Sequence, residues 1–250
     1  MRTGSWAVYA AQASLAPERP KVAPPPAGSM PVGGSGKHRP DASSQVLIWA
    51  ERCAAGAALI VLSPALAGVM LAVRYCSGES PLVAHRRAGL DGEPFWLLKI
   101  RTMWGCPQSR ETRAPGSVQT WIEYLENAEL PVIKKGPDPR VTSSFAAFCR
   151  RFSIDELPQL FHVVTGKMRL VGPRPLTPLE MEVYYGDAAP EVLSVPPGIT
   201  GLWQVMGRNR LTYAQRLRLD KFWVRRFSLK LYWFVLRRTP WCVLRGRDVW

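Results

Sequence analysis

The chain has 250 residues, 47% of them hydrophobic and 21% charged, which suffices for one packed domain and excludes a wholly disordered polymer. A mean hydropathy of −0.07 excludes a multi-span transporter. Lys and Arg number 33 against 19 Asp and Glu, so the net charge is +14 and the partner is expected to be polyanionic: nucleic acid, an anionic membrane surface or phosphorylated substrates.

Ten tryptophans alongside abundant arginine favour a membrane interface over plain solvent. The five cysteines form no C-x-x-C pair, and the nearest two are 23 residues apart. That spacing argues against a disulfide framework or a zinc site and for a reducing compartment. The three histidines are scattered, so a catalytic metal is expected to be a hard ion on carboxylates.

Residues 1–45 hold seven Pro and five Gly without periodicity, which reads as a disordered tail. Residues 53–73 carry no charge for 21 positions, enough to cross a bilayer as a helix. Ser63-Pro64 lies at its middle, where proline removes a backbone donor. Lys37 and Arg39 precede the stretch and Arg74, Arg86 and Arg87 follow it, which favours both ends on one face of the membrane. A helix that dips in, bends at Ser63-Pro64 and returns meets these conditions, with Ser63 bonding the carbonyl that Pro64 strands. An ordinary single span stays open on these residues alone.

Residues 82–103 read as a β-hairpin about Leu90-Asp91-Gly92-Glu93, since Asp-Gly is a strong turn signal. Trp121–Leu130 is expected to form a short helix, and residues 143–152 another. Ser153 and Glu156 have the spacing of a capping box. Leu157, Leu160, Phe161 and Val164 then share one helical face, and Gly166 ends that helix. Met168–Val171 suits a buried strand, Gly172-Pro173-Arg174-Pro175 a stiff loop, 177–186 a helix and Ile199–Val205 an extended segment. From Gly207 to Trp250 there are twelve Lys/Arg and two Asp, so 12 − 2 = +10 of the net charge lies here, interleaved with aromatics. That composition suits a lipid headgroup layer, and also nucleic acid. The 21-residue apolar stretch argues against a free nucleic-acid-binding protein.

Asp155 and Glu156 are the sharpest chemical feature. Adjacent carboxylates at a helix N-terminus are kept ionised by the helix dipole, as a nucleophile or a Mg²⁺ ligand requires. Taken alone, they are equally read as a cap and a dipole complement. Arg150 precedes them and can hold a substrate phosphate. Arg174 stands between two prolines whose rigidity suits bidentate phosphate binding, or it is merely solvated. Lys99 and Arg101 alternate on a strand, which places both on one face, an anion-binding one or merely a solvated one. Arg208 is a weaker phosphate candidate.

The run RRFSIDELPQLFHVVTGKMRLVGPRPL (150–176) closely resembles the bacterial sugar transferase family, the monotopic phosphoglycosyl transferases. GLDGEPFWLLKIRTM (89–103), DPRVT (138–142) and PPGITGLWQVMGR (196–208) agree, and the likeness extends over residues 46–250. It implies an α+β, mostly helical fold: a re-entrant membrane helix over 46–76 bent at Ser63 and Pro64, then a cytoplasmic catalytic domain over 77–250 ending in a basic, aromatic interfacial segment. It implies a reaction too. Asp155 attacks the β-phosphate of a UDP-sugar, UMP leaves, and a polyprenyl phosphate such as undecaprenyl phosphate takes the phosphosugar from the aspartyl intermediate. Glu156 matches the second acid of the dyad, a proton acceptor or Mg²⁺ partner. Lys99, Arg101, Arg150, Arg174 and Arg208 match the cations expected around the phosphates. The resemblance further implies an anionic bilayer surface as partner, the bacterial inner membrane as location with the domain on its cytoplasmic face, a product that starts exopolysaccharide, capsule, O-antigen or glycan assembly, and no nucleic acid. It leaves a homodimer and the sugar open, and no motif of the family falls between Met103 and Asp138.

Overall fold

A computed structural model describes residues 42–104, 121–125 and 140–245, apart from the side chains of 42–44 and 209. The tail expected over 1–45 lies outside them save for its last four residues, which open the first helix.

That helix, α1, spans Ala42–Ser77 with Pro64 inside it. Its Gln45–Ser77 portion is long and apolar enough to cross a membrane by length and composition. Proline has no N–H, so the Ile60 carbonyl loses its partner four residues on. The Ser63 hydroxyl donates to that carbonyl at 2.8 Å, as its position predicts. Where two limbs of a hairpin were expected, the structure assigns one helix running through Ser63-Pro64.

One stripe of α1 packs on the rest of the protein along most of its length. Leu47, Ala55, Leu59, Leu62, Leu66, Val69 and Val73 recur every three or four residues on it. The opposite side leaves Val46, Trp49, Ile60, Val61 and Leu71 exposed. Polar anchors reinforce the stripe. Buried Glu51 ion-pairs with Arg169 and lies close enough to the Tyr232 hydroxyl to add to the effect of burial in raising its pKa. Arg52 Nε donates to the Val164 carbonyl at 2.8 Å.

The expected hairpin is formed. β1 (Leu82–Ala88) and β2 (Pro94–Ile100) pair antiparallel, with Ala84 opposite Leu98. The turn places Asp91 at φ 54° and Gly92 at φ 82°, conformations that Asp-Gly tolerates. The helix expected over Trp121–Leu130 is instead a strand in its described part. β3 (Ile122–Leu125) runs parallel to β1, giving the order β2-β1-β3. The free edge of β1 needed backbone partners, and Leu82 N–H donates to the Trp121 carbonyl at 3.1 Å.

α2 (Ser144–Arg151) follows, its N-cap Ser143 accepting from the Phe145 N–H. The next turn departs from expectation. Ser153 sits at φ 55° with no side-chain cap bond, and Ile154–Gln159 is a 3₁₀ turn containing Pro158. The capping box fails because Ser153 is left-handed and the Glu156 side chain is held by Lys99. The α-helical part, α3, is Leu160–Val164, and Gly166 ends it at φ 80°.

β4 (Arg169–Val171) pairs parallel with β5 (Gly198–Thr200). Between them lie α4 (Pro178–Glu180), continued by a π turn over Met181–Tyr185, and α5 (Ala189–Leu193). The extended segment expected over Ile199–Val205 stops at Thr200, and α6 (Leu202–Met206) begins there because Leu202, Trp203 and Val205 turn into the core. α7 (Tyr213–Arg225) has a capping box from Thr212 and Gln215. α8 (Leu229–Arg245) carries exposed Trp233, Phe234, Trp241 and Leu244 beside arginines. Val171, Leu202, Val205, Trp223, Tyr232 and Val235 form a core that joins β4 to α6, α7 and α8.

Candidate active site

Two motifs distant in sequence meet through glycines. A Cβ on Gly198 would lie 2.0 Å from the Gly172 nitrogen, and one on Gly201 would lie 2.5 Å from the Gly172 oxygen. Backbone therefore rests directly on backbone, with no room for a side chain. This contact sets the loop after β4, which carries Arg174, beside the segment 198–204. A cleft opens there, walled by Lys99, Glu156, Gln159, Arg174 and Gln204 with Leu97 and Ile199.

The acidic pair enters from the 3₁₀ turn. Its flanking residues Ile154 and Leu157 pack in the cluster that holds Leu62 and Leu66 of α1. The turn thus shares a hydrophobic cluster with the apolar helix and with Ile100 at the end of β2. Lys99, near the end of β2, donates to Glu156 Oε1 at 2.8 Å. One residue back, the Leu98 N–H on the open edge of β2 is taken by His162 Nε2 at 3.1 Å. His162 is buried, and desolvation holds its pKa down at about 4, so the ring is a neutral acceptor.

The two carboxyls are driven apart. Burial raises Asp155 to about 6 in spite of the Lys99 and Arg150 charges. Glu156 is held below its ordinary value by Lys99, with Arg174 and Arg208 adding to the effect against desolvation. The ionisation expected from a helix dipole thus comes from neighbouring cations. Glu156 lines the cleft, while Asp155 is 8% exposed behind it.

The cations are distributed unequally. Arg174 lines the cleft with no hydrogen bond to a described residue, its guanidinium 6.0 Å from the Trp203 ring. Arg150 reaches Thr102 Oγ1 at 3.4 Å and feels the charges of Asp155 and Glu156. Arg208 holds a left-handed backbone at φ 46°, its Nε donating to the Gln204 carbonyl, and its charge reaches Glu156. A non-glycine residue so held is strained, a feature that clusters at functional sites. Arg101 does not join them. It is buried on the Ser80 carbonyl, Glu79 and Glu123, so its charge ties the end of β2 to β3 across β1. Period-2 alternation fails to pair it with Lys99 because β2 ends at Ile100. Gln159 and His162 lie in the 150–176 run and Gln204 in the 196–208 run, but none was singled out there; the tight glycines around Gln204 were the further available signal.

Among the described residues, no three His, Cys, Asp or Glu side chains gather as a metal cage. The dyad supplies two hard carboxylates. That donor set suits Mg²⁺, which is commonly bound by one or two carboxylates together with substrate phosphates.

The model of the family described as bacterial sugar transferase matches residues 44–246. An exopolysaccharide production protein, ExoY, of Sinorhizobium fredii is 36% identical over 222 residues, covering 86% of this chain and 89% of that protein. A UDP-galactose-lipid carrier transferase of Erwinia amylovora is 38% identical over 187 residues, covering 75% of this chain and 38% of its own. The UDP-glucose:undecaprenyl-phosphate glucose-1-phosphate transferase of Escherichia coli is 31% identical over 195 residues, covering 75% and 37%.

Proposed function

Because the chain belongs to the bacterial sugar transferase family, we propose that it moves a sugar 1-phosphate from a UDP-sugar to undecaprenyl phosphate and so begins assembly of an exopolysaccharide or related glycan. The observation that carries the reading is the seat of the dyad. Asp155 and Glu156 lie on a turn whose flanking Ile154 and Leu157 share a hydrophobic cluster with the apolar helix; Glu156 walls a cleft with Lys99 and Arg174, and Asp155 is buried beside it. A lipid phosphate at a membrane surface and a soluble nucleotide can both reach such a place.

Asp155 is the nucleophile. An oxygen of its carboxylate bonds to the β-phosphorus, the bond from that phosphorus to the bridging oxygen breaks, and UMP departs with the electron pair. An oxygen of undecaprenyl phosphate then attacks the same phosphorus and frees the carboxylate. Burial, which raises Asp155, also strips it of water and makes its ionised form more reactive. Glu156 is neutralised by Lys99, so it suits proton and charge handling rather than attack. Arg174, Arg150 and Arg208 balance the charge of the diphosphate. Asp155 and Glu156 would hold a Mg²⁺, which supplies charge neutralisation to the phosphates when bound.

α1 and α8 support a membrane arrangement. A 36-residue helix is about 54 Å long, more than the roughly 30 Å of a bilayer core. Its packed stripe extends from Leu47 to Val73, which opposes departure straight across a bilayer. We therefore place α1 in one leaflet, re-entrant about Ser63-Pro64, with the domain on the cytoplasmic face of the inner membrane. The aromatic and basic face of α8 rests on anionic headgroups, with Arg245 4.5 Å from the Trp241 ring.

The test is UMP release by detergent-solubilised protein with Mg²⁺ and undecaprenyl phosphate across a panel of UDP-sugars. Release that depends on lipid and is lost in Asp155→Asn is expected. Full release by that variant would remove Asp155 as nucleophile.

A further inference from the structure

The basic side chains around the cleft differ in whether this chain already supplies them an acceptor. Lys99 is held by Glu156, Arg87 by Glu180, Arg150 by Thr102, Arg101 by Glu123, and Arg208 by a carbonyl. Arg174 and Arg216 make no hydrogen bond or ion pair to a described residue. Both lie instead against one indole: their guanidinium carbons are 6.0 Å and 4.6 Å from the Trp203 ring.

Arg216 is the more telling of the two. It is 9% exposed, and its Nε is sealed without an acceptor, as is Trp203 Nε1. A buried N–H without an acceptor is costly, and the aromatic faces beside it, Trp203 and also Tyr213 at 4.9 Å, return only part of the cost. The nearby carboxyls do not balance it. Glu180 Oε2 already takes Arg87 and the Thr177 N–H. Asp220, one turn along α7, accepts from the Tyr185 hydroxyl at 2.8 Å, and burial pushes it up to about 7, so it carries less than a full charge at neutral pH. Three guanidiniums, those of Arg87, Arg174 and Arg216, thus share a region short of negative charge.

We propose that Arg216 and Arg174, steadied by Trp203, form a second oxyanion site that takes a phosphate group beside the one held at the dyad. A tetrahedral phosphate offers oxygens in several directions and can serve two guanidiniums, whereas a carboxylate offers two in one plane. The site rests on the transferase reading above, in which two phosphorylated reactants visit one cleft. The ligand chemistry has two sources: the α-phosphate that leaves as UMP, and the phosphate of the lipid acceptor.

The experiment measures equilibrium binding of UMP and of undecaprenyl phosphate to the full chain in detergent, for wild type, Arg216→Gln, Arg216→Lys and Arg174→Gln. Arg216→Gln is expected to weaken one ligand by about tenfold or more, the scale of a lost charge-assisted bond, with Lys restoring part. Weakened UMP binding assigns the site to the nucleotide, and weakened lipid binding assigns it to the acceptor. Wild-type affinity for both ligands in a folded Arg216→Gln, while Arg174→Gln binds more weakly, overturns the proposal and leaves the transferase reading standing. Should Arg216→Gln not fold, Arg216→Lys decides in the same way. Wild-type binding in every variant overturns the roles of both arginines.

Discussion

Lys99 Nζ donates to Glu156 Oε1 at 2.8 Å, and this bond divides the labour of two adjacent acids. Lys99 lowers both carboxyls, yet burial leaves Asp155 raised at about 6. The attacking form of Asp155 is the ionised one, so turnover should rise with pH through about 6 and level off near neutrality. Lys99→Met removes a cation that favours the ionised form, so the acid limb should move upward by roughly one pH unit, in addition to a lower plateau. A pH–rate profile of the two proteins checks this, and an unmoved limb would separate Lys99 from Asp155.

Arg101 was a candidate for substrate phosphate on sequence grounds, and its surroundings assign it elsewhere. Arg101→Met leaves Glu79 and Glu123 facing a partner that no longer exists. Breaking such a pair costs about 3–5 kcal/mol. The variant should therefore melt well below wild type, while the KM for UDP-sugar in its folded fraction stays within about twofold, a difference worth little in free energy. A KM raised tenfold at unchanged stability would return Arg101 to the phosphates.

Pro64 and Ser63 act on the same carbonyl, that of Ile60, one by removing its partner and the other by replacing it. Pro64→Ala restores the backbone bond and should favour a straight path of α1 over the re-entrant one proposed above. Cys53 and Cys76 are exposed on either side of the pair and serve as native reporters. In intact inverted vesicles, an impermeant maleimide should label both in wild type. It should lose one of them in Pro64→Ala, read by mass spectrometry of the labelled peptides. Equal labelling of both in the variant would mean that Pro64 does not set the path of the helix.

Much of this arrangement was legible where chemistry is local. Asp91-Gly92 announced a turn, residues 143–152 a helix, Gly166 a helix end and Ser63 the repair at Pro64. The failures share a cause, which is distant structure overriding local pattern. Ile122–Leu125 became a strand because β1 had an edge to fill. Ser153 lost its capping role because Lys99, 57 residues from Glu156, claims that side chain. Leu202–Met206 turned helical because Leu202 and Val205 are buried against α7 and α8. At the site, Asp155, Glu156 and Arg174 were named from their motifs, whereas Arg216 escaped because a lone arginine in a basic segment has no local signature. Its meaning appears only where Trp203 and Arg174 lie beside it.

Gly198 is the residue on which the meeting of the two motifs depends most. A Cβ there would stand 2.0 Å from the Gly172 nitrogen and 2.7 Å from the Thr200 oxygen, both backbone atoms that no rotamer change can move aside. Gly198→Ala must therefore part β4 from β5, at a cost of about 3 kcal/mol or more. Arg174 would move with its loop, so any folded fraction should lose transfer as well as stability. Gly68→Ala is the matched control, because nothing lies within 4 Å of its would-be Cβ on α1. There the helix should gain about 0.5–1 kcal/mol from the lost flexibility of glycine. Thermal melting in detergent, with UMP release measured beside it, separates the two cases. A Gly198→Ala protein that melts and turns over like wild type would show that the approach of the two backbones is looser than the 2.0 Å contact implies.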